Sequence, residues 1–321
     1  MKKMLALILA MALCLTFAAC GNNADAADTT GGATEETGGA KMEFTVGICQ
    51  LMVHDSLDQA TQGFKDALAE AMDGAGATVV FDEQVAGEAN LCATVVNTFT
   101  SKNVDLIMAN ATPALLAAAN ATTSIPVLGT SVTDYEDTFS GSIPANVSGT
   151  SDAVPFEEQA KMMIETLGLV AGDQVGVLYC INESNSLIQY EAVKALFEAE
   201  GIVVKAYTFS EVTELQALTT TMAGECKAVY IPSDNTVAQN DSIVGTICND
   251  MQVPVYTSYG GAICYASLAI DYYHLGVETG RMAAEILLNG KDISEIEIMT
   301  IEPAVAYNEE LYELLEMELP A

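Results

Sequence analysis

The chain has 321 residues, half of them apolar, which is enough for two domains of ordinary size with real cores. Its 44 acidic and 11 basic residues give a formal charge of −33, and this excludes nucleic acid as a partner, because phosphate recognition needs a basic face. An acidic surface favours solubility and repels anionic lipid headgroups, but it does not say what a pocket would hold.

In chain order, residues 1–20 read as an export signal. Lys2 and Lys3 form a basic start, Met4 to Phe17 an apolar run, and Ala18, Ala19 and Cys20 a small-residue cleavage site. A spanning anchor would need about 20 apolar residues, and the sequence turns small and polar from Ala18 to Asn23. Cys20 directly after the cleavage site reads as the acylated cysteine of a lipoprotein. Phe17 stands where such signals usually carry Leu, so plain secretion is the alternative. Loss of Lys2 and Lys3 takes the charge from −33 to −35. Residues 21–42, rich in Gly, Thr, Ala and acids, are expected to be a flexible acidic linker.

The first folded unit is Val46 to Asp66. Val46, Ile48 and Leu51 form a strand, and Leu57, Ala60, Phe64, Leu68 and Ala71 recur at helical spacing. Ser56 is the expected N-cap, with Gln59 three residues later as in a capping box. Thr78–Phe81 reads as a strand and Leu91–Ser101 as a helix. Val104–Asn110 is a near-continuous apolar strand of the kind covered on both faces. Thr112 as N-cap and Pro113 at the first helical position open the helix Ala114–Thr122. Ile125–Thr130 is the next strand and Asn146–Asp152 a short one leaving this half, which is a doubly wound unit.

From Pro155 the alternation begins again. Helix Phe156–Leu167, strand Gln174–Cys180, a helix after Ser186, strand Ile202–Thr208, helix Leu215–Met222, strand Ala228–Pro232, helix Val237–Met251 and strand Val253–Ser258 build a second half. A strand from Tyr265 to Asp271, a helix from His274 to Leu288, a strand Ile296–Ile301 and an acidic tail Asn308–Leu319 complete the chain. The expected architecture is α/β, with two parallel-sheet lobes and a cleft between them. Lobe 1 takes 43–153 and about 271–292; lobe 2 takes 154–270 and about 293–321.

Ligands of open parallel sheets bind beyond the carboxyl ends of the strands. Three polar loops leave those ends in the first half: Gln50 to Asp55, Asn110 to Thr112, and Thr130 to Asp134. Three more leave the second: Ile181 to Ser186, Ser233 to Thr236, and Ser258 to Gly260. The run Asn182, Glu183, Ser184, Asn185, Ser186 precedes a helix and offers N–H groups and hydroxyls to a small carboxylate, or else ordinary capping. Asp234 reads either as the partner of a ligand ammonium or as an N-cap, and Thr112 as a cap or a ligand hydroxyl. His54 and His274 are the only histidines, and neither has a catalytic or zinc-binding setting. No GxSxG, HExxH or phosphate-loop motif is present, so no catalytic residue, metal or cofactor is expected. The six remaining cysteines, Cys49, Cys92, Cys180, Cys226, Cys248 and Cys264, fit no CxxC motif and read as small buried hydrophobes.

The segments VGICQLMVHDSLDQATQGFKDAL, VDLIMANATPALLAAANAT, IPVLGTSVTD, NVSGTSD, VGVLYCINESNS, VYIPSDNTVA and LAIDYYHLGVETGRMAAEIL resemble, in order, the motifs of ABC transporter substrate-binding proteins of the tryptophan/tyrosine uptake type. The resemblance runs from about Glu43 to Gly290. It implies a type I periplasmic-binding-protein fold, with two lobes joined by three crossings and closing on a ligand. It also implies a monomer that serves a membrane permease and its ATPase from outside the cell membrane. Ligand contacts would fall at Gln50, His54, Thr112, Thr133 and Asp134 in the first lobe and at Glu183, Ser184, Asn185, Asp234 and Asn235 in the second. Asp271 would lie at a crossing. Asp55 and Tyr135 stand where the family often has proline. An aromatic amino acid is the expected ligand. A sugar, a nucleoside or a signalling molecule, for uptake or for a sensor kinase, is the alternative within the same fold. The chain has no Trp, and Tyr135, Tyr179, Tyr259, Tyr272 and Tyr273 are the aromatics near the cleft.

Overall fold

A computed structural model describes residues 42–320; the expected export signal, the expected lipid site at Cys20 and all but the last residue of the expected linker lie outside the described residues. Strand and helix alternate as β1 (Glu43–Gln50), α1 (Asp55–Gly74), β2 (Thr78–Val85), α2 (Cys92–Lys102), β3 (Leu106–Asn110), α3 (Thr112–Ala121), β4 (Val127–Val132), the short α4 (Tyr135–Thr138) and β5 (Val147–Ser151). The second series is α5 (Phe156–Leu167), β6 (Gln174–Cys180), α6 (Ser184–Ala199), β7 (Val203–Phe209), α7 (Leu215–Glu225), β8 (Ala228–Ile231), α8 (Asn235–Gln239), α9 (Asp241–Asp250) and β9 (Val255–Thr257). Then come β10 (Ala266–Ala269), α10 (Tyr272–Asn289), β11 (Met299–Thr300), β12 (Ala304–Tyr307) and α11 (Glu309–Leu314).

The first sheet runs β11-β5-β4-β3-β1-β2 and is parallel throughout. The second runs β7-β6-β8-β9, also parallel, beside an antiparallel β10-β12 ribbon. The central strands read as unbroken apolar runs because each supplies two cores, successive side chains pointing to opposite faces. Cys49 and Ile107 join Val96, Phe99 and Leu115 of α2 and α3 on one face of the first sheet. Ile48 and Met108 join Phe64 and Leu68 of α1 and Met282 of α10 on the other. In the second sheet Val177 and Tyr179 face α5 and α6, and Leu178 and Cys180 face α7 and α9. All six cysteines in the described residues are buried and free.

The chain passes between the lobes three times: after β5, between β10 and α10, and between β11 and β12. Helix α10 returns to the first lobe and lies against α1, and two glycines permit the approach. A Cβ on Gly63 would stand 2.1 Å from the Tyr273 carbonyl oxygen, and one on Gly276 would stand 2.0 Å from that of Ala60. Residues 293–300 were expected in the second lobe but stay with the first. Ile293 packs in the core under α1 and α10, and Met299 pairs with Thr150. The return to the second lobe comes at β12.

Several element ends differ from their expected positions. Helix α1 starts at Asp55 and not after Ser56, with His54 as an N-cap in extended conformation whose side chain makes no capping bond. Asp55 and Asp58 then occupy the first turn, where the helix dipole favours carboxylates. Ala111, at φ 92°, caps α3, so Thr112 is the first helical residue. The expected helix Val237–Met251 is two, α8 and α9, meeting at Asn240. Helix α10 begins at Tyr272, capped by Asp271, whose side chain accepts from the His274 N–H. The expected strand Ile296–Ile301 pairs only at Met299 and Thr300.

Candidate functional site

Both sheets place their first strand between the second and third, β2-β1-β3 and β7-β6-β8. The helices that follow the two inner strands leave to opposite faces, so a crevice opens where their loops part. In the first lobe these loops are residues 51–54 and Ala111; in the second they are residues 181–183 and 232–234. The two sets face each other. A cavity of about 580 Å³ spans both lobes at the outer end, lined by Leu51 and Met52 on one side and by Asn182, Glu183 and Thr236 on the other.

Two hydrogen bonds join the lobes across the crevice. His54 Nε2 lies 3.2 Å from Asn235 Oδ1. Because Asn235 Nδ2 donates to Glu183 at 2.7 Å, its oxygen is the atom left for His54, and the imidazole must carry its proton on Nε2 to donate. Burial holds the His54 pKa below its ordinary value, while the Asn235 bond and the carboxylates of Glu183, Asp58 and Asp55 pull it up. Nearer the crossings, Gln189 Nε2 donates to Thr133 Oγ1 at 3.2 Å, and Gln189 Oε1 accepts from the Ser233 N–H at 3.0 Å.

Much of the polar equipment in these loops is occupied in holding them. Gln50 donates to the Met52 carbonyl and to Asp58 and accepts from Thr61, and it is buried. It braces its loop. Glu183 accepts four hydrogen bonds, from the backbone N–H and side chain of both Asn235 and Thr236. Asp234 was a candidate ammonium partner, and the geometry makes it a structural cap instead. It is fully buried; Oδ1 accepts from the Val237 N–H at 2.9 Å, and Oδ2 accepts from the Cys180 N–H and the Ser186 hydroxyl, both at 2.8 Å. Burial, with the nearby Glu183 charge, pushes its carboxyl well above the ordinary range. Asp134 caps α4 through the Asp137 N–H. Ser184 and Asp271 are exposed, and Asp271 points its carboxylate at its own helix end.

Other groups there are not used up. Thr112 is buried and its hydroxyl makes no hydrogen bond among the described residues. Asn185 Nδ2 donates to the Ser233 carbonyl at 2.7 Å, which fixes the amide orientation and leaves Oδ1 buried without a partner. Asn110 Nδ2 is bonded to the Leu57 carbonyl and Thr61, while its Oδ1 is unpaired. Ser131 Oγ, Asp152 Oδ1 and Tyr259 OH are likewise buried and unpartnered. Buried polar atoms are normally paired, so a cluster of exceptions at facing strand ends marks a place built to receive polar groups. Backbone geometry agrees: Ala111 and Ser131 both have positive φ, 92° and 55°, and the Ala111 N–H bonds the Thr130 carbonyl beside Ser131. Non-glycine residues held in that region concentrate at functional sites.

Sequence reasoning missed Asp152, Ser131 and Gln189 as site residues. The available signal was the serine- and threonine-rich run ending in aspartate at Asp152, on a strand about to leave its sheet. The proline positions taken by Asp55 and Tyr135 also find their explanation. Asp55 is exposed in the first turn of α1. Tyr135 is buried, its hydroxyl donating to the Thr150 carbonyl at 3.2 Å and lying over Gly129 and Gly149. It packs in the core and does not line the crevice.

The family model described as ABC transporter substrate binding protein matches residues 45–312. A tyrosine-binding protein of Clostridioides difficile is 31% identical over 290 residues, covering 87% of this chain and 83% of its own. Among solved structures, an ABC domain in complex with L-Trp from Streptococcus pneumonia is 28% identical with a TM-score of 0.78, over 86% of this chain and 96% of the other. A substrate-binding protein with adhesive properties from Clostridium difficile, ligand-free and open, is 30% identical with a TM-score of 0.64, over 87% and 96%. Among the described residues, no helix is long and apolar enough to cross a membrane.

Proposed function

This chain belongs to the ABC transporter substrate-binding protein family, whose members bind solutes and are not enzymes, and we propose that it binds an aromatic amino acid between its lobes. In this reading it is a monomeric lipoprotein, anchored through Cys20 on the outer side of the cell membrane. Closure about the three crossings traps the ligand and presents it to a permease and its ATPase. Ligand-driven closure requires that the ligand bind the closed form more tightly than the open one.

The observation that carries the proposal is the pairing of loops from both sheets. His54 meets Asn235 and Thr133 meets Gln189, while unpaired oxygens of Asp152 and Asn185 stand buried at the same strand ends. A zwitterion needs acceptors for its ammonium and donors for its carboxylate, and these loops offer both. The tyrosine-binding relative and the L-Trp-bound relative support the aromatic class. Of the site residues inferred from sequence, His54, Thr112, Thr133, Asn185 and Asn235 remain in this proposal as groups around the ligand. Gln50, Glu183 and Asp234 hold the loops that carry them.

Native mass spectrometry of protein purified without denaturation, followed by thermal shifts with amino acids, monosaccharides and nucleosides, tests the ligand class. A binder at 100-fold its Kd stabilises by about 2.7 kcal/mol. Stabilisation by L-tyrosine or L-tryptophan supports the proposal; stabilisation only by a sugar or nucleoside refutes it. Labelling with a radioactive fatty acid that disappears with Cys20→Ala tests the anchor.

A further inference from the structure

Six cysteines stand in the described residues, all buried and free, and the amino-acid reading of the crevice uses none of them. Their settings differ. Cys226 Sγ lies 3.5 Å from the Tyr207 hydroxyl; Cys264 Sγ accepts from the Thr257 N–H at 3.1 Å and donates to the Ala266 carbonyl at 2.8 Å. Cys49 and Cys92 meet each other, the Cys49 thiol donating to the Cys92 sulfur.

The backbone builds this meeting. Gly47 and Cys49 are two residues apart on β1 and so point to the same face of the sheet. Helix α2 runs back across that face: a Cβ on Gly47 would stand 2.5 Å from the Phe99 ring, and Cys92, about two turns before Phe99, comes to rest over Cys49. Both cysteines are 0% exposed and share one core with Val96 and Phe99. The connection that leads to Cys92 is pinned to the end of β1, the Ala86 N–H donating to the Gln50 carbonyl at 2.8 Å and the Gly87 N–H to the Leu51 carbonyl at 2.7 Å. Cys92 Sγ also lies 3.9 Å from the Glu88 carbonyl. Gly87, Glu88, Ala89 and Asn90 line the outer cavity of the crevice, so the loop that touches Cys92 also walls that cavity.

The two sulfurs are unequal. The bond from Cys49 holds the Cys92 thiol below its ordinary range, against burial, and Cys92 is the first residue of α2, where the helix dipole favours an anion. The same bond, with burial, drives the Cys49 thiol far up. A thiolate facing a thiol is the arrangement of an attacking and a resolving cysteine. We propose that Cys49 and Cys92 form a redox site, at which hydrogen peroxide makes a disulfide between the end of β1 and the start of α2. The Cys92 thiolate attacks one peroxide oxygen; the S–O bond forms, the O–O bond breaks, and the departing hydroxide takes up the proton that Cys92 had released. The Cys49 sulfur then displaces hydroxide from the Cys92 sulfenic acid, the S–S bond forms, and the Cys49 proton leaves with that hydroxide as water. The two thiols together lose two electrons and two protons, and the peroxide is reduced to two waters. The disulfide ties the strand that leads to Leu51 and Met52 to the helix that follows Asn90, and so braces the first-lobe wall of the outer cavity.

The test treats the purified, reduced chain with hydrogen peroxide, unfolds it in urea, alkylates it with N-ethylmaleimide and maps the peptides by mass spectrometry. Peroxide is expected to remove two of these six cysteines from alkylation and to yield one linked pair of peptides, joined through Cys49 and Cys92. Closing a chain loop of this length is expected to raise Tm by about 5–10 °C. In Cys49→Ala, which lacks the resolving thiol, dimedone should trap a sulfenic acid at Cys92; Cys92→Ala should show none at Cys49. All six cysteines still alkylated after peroxide, or a link between any other pair, overturns the proposal, and a Cys49–Cys92 link that lowers Tm overturns the brace. If the alanine variants do not fold, the wild-type peptide map decides by itself. The outcome does not depend on which ligand the crevice holds.

Discussion

Replacing Asp234 by alanine separates a structural carboxylate from a ligand-binding one. The side chain accepts from the N–H groups of Cys180 and Val237 and from the Ser186 hydroxyl, all buried. Alanine leaves the two backbone donors without partners, at about 1–3 kcal/mol each, whereas the hydroxyl can rotate to another acceptor. The expected loss is about 3–4 kcal/mol, a large part of a total stability of about 5–15 kcal/mol. Since 1 kcal/mol moves Tm by about 2–4 °C in a chain somewhat shorter than this, Tm should fall by roughly 10 °C. Asparagine keeps one acceptor oxygen, so one of the two backbone donors stays paired and the other faces an NH2 group. Asp234→Asn should therefore cost about 1–3 kcal/mol, less than the alanine variant. Urea unfolding of the ligand-free protein measures both variants. An alanine variant within 1 kcal/mol of wild type would refute the reasoning, as would one of normal stability that had lost ligand affinity.

His54→Ala and Asn235→Ala should each weaken ligand affinity, and the double variant should lose less than the sum. A coupling of about 0.5–1.5 kcal/mol is expected for one hydrogen bond, and calorimetry giving strictly additive losses would deny that His54 and Asn235 act through their mutual hydrogen bond. Burial lowers the His54 pKa where the ring meets Asn235 across the crevice, so this arrangement binds fewer protons than one with the ring in water. Affinity should then fall as pH drops through about 6.5, and His54→Gln should flatten that part of the profile. Gly276→Ala would place a methyl 2.0 Å from the Ala60 carbonyl oxygen, so a loss of at least about 2 kcal/mol in thermal unfolding is expected. A neutral result would mean that α1 and α10 separate easily. Iodoacetamide should leave Cys49, Cys92, Cys180, Cys226, Cys248 and Cys264 unlabelled in the native protein and modify all six in urea, read by peptide mass spectrometry.

The α/β alternation, the two halves and the loops that meet were legible in the sequence because each rests on a local signal. The strand run LIMAN is apolar at its first four positions since both faces are covered, and α1 carries its apolar residues at helical spacing. Strand ends follow from strands, and the rule that ligands sit beyond them pointed to the loops at Gln50, Asn110, Cys180 and Pro232. Helix starts were less legible. Ser56 and Thr112 are good caps by type, but His54 and Ala111 took those places because the chain must turn through the crevice first. The roles of the carboxylates depended on the tertiary structure alone. Asp234 meets Cys180 across 54 residues, Glu183 meets Asn235 across 52, and Tyr272 meets Asp152 across 120. A buried acid is a cap or a ligand group according to which donors reach it, and those donors come from distant segments. Local sequence sets which side chains stand at the strand ends; only the packing of the two sheets and α10 decides whose oxygens are left unpaired.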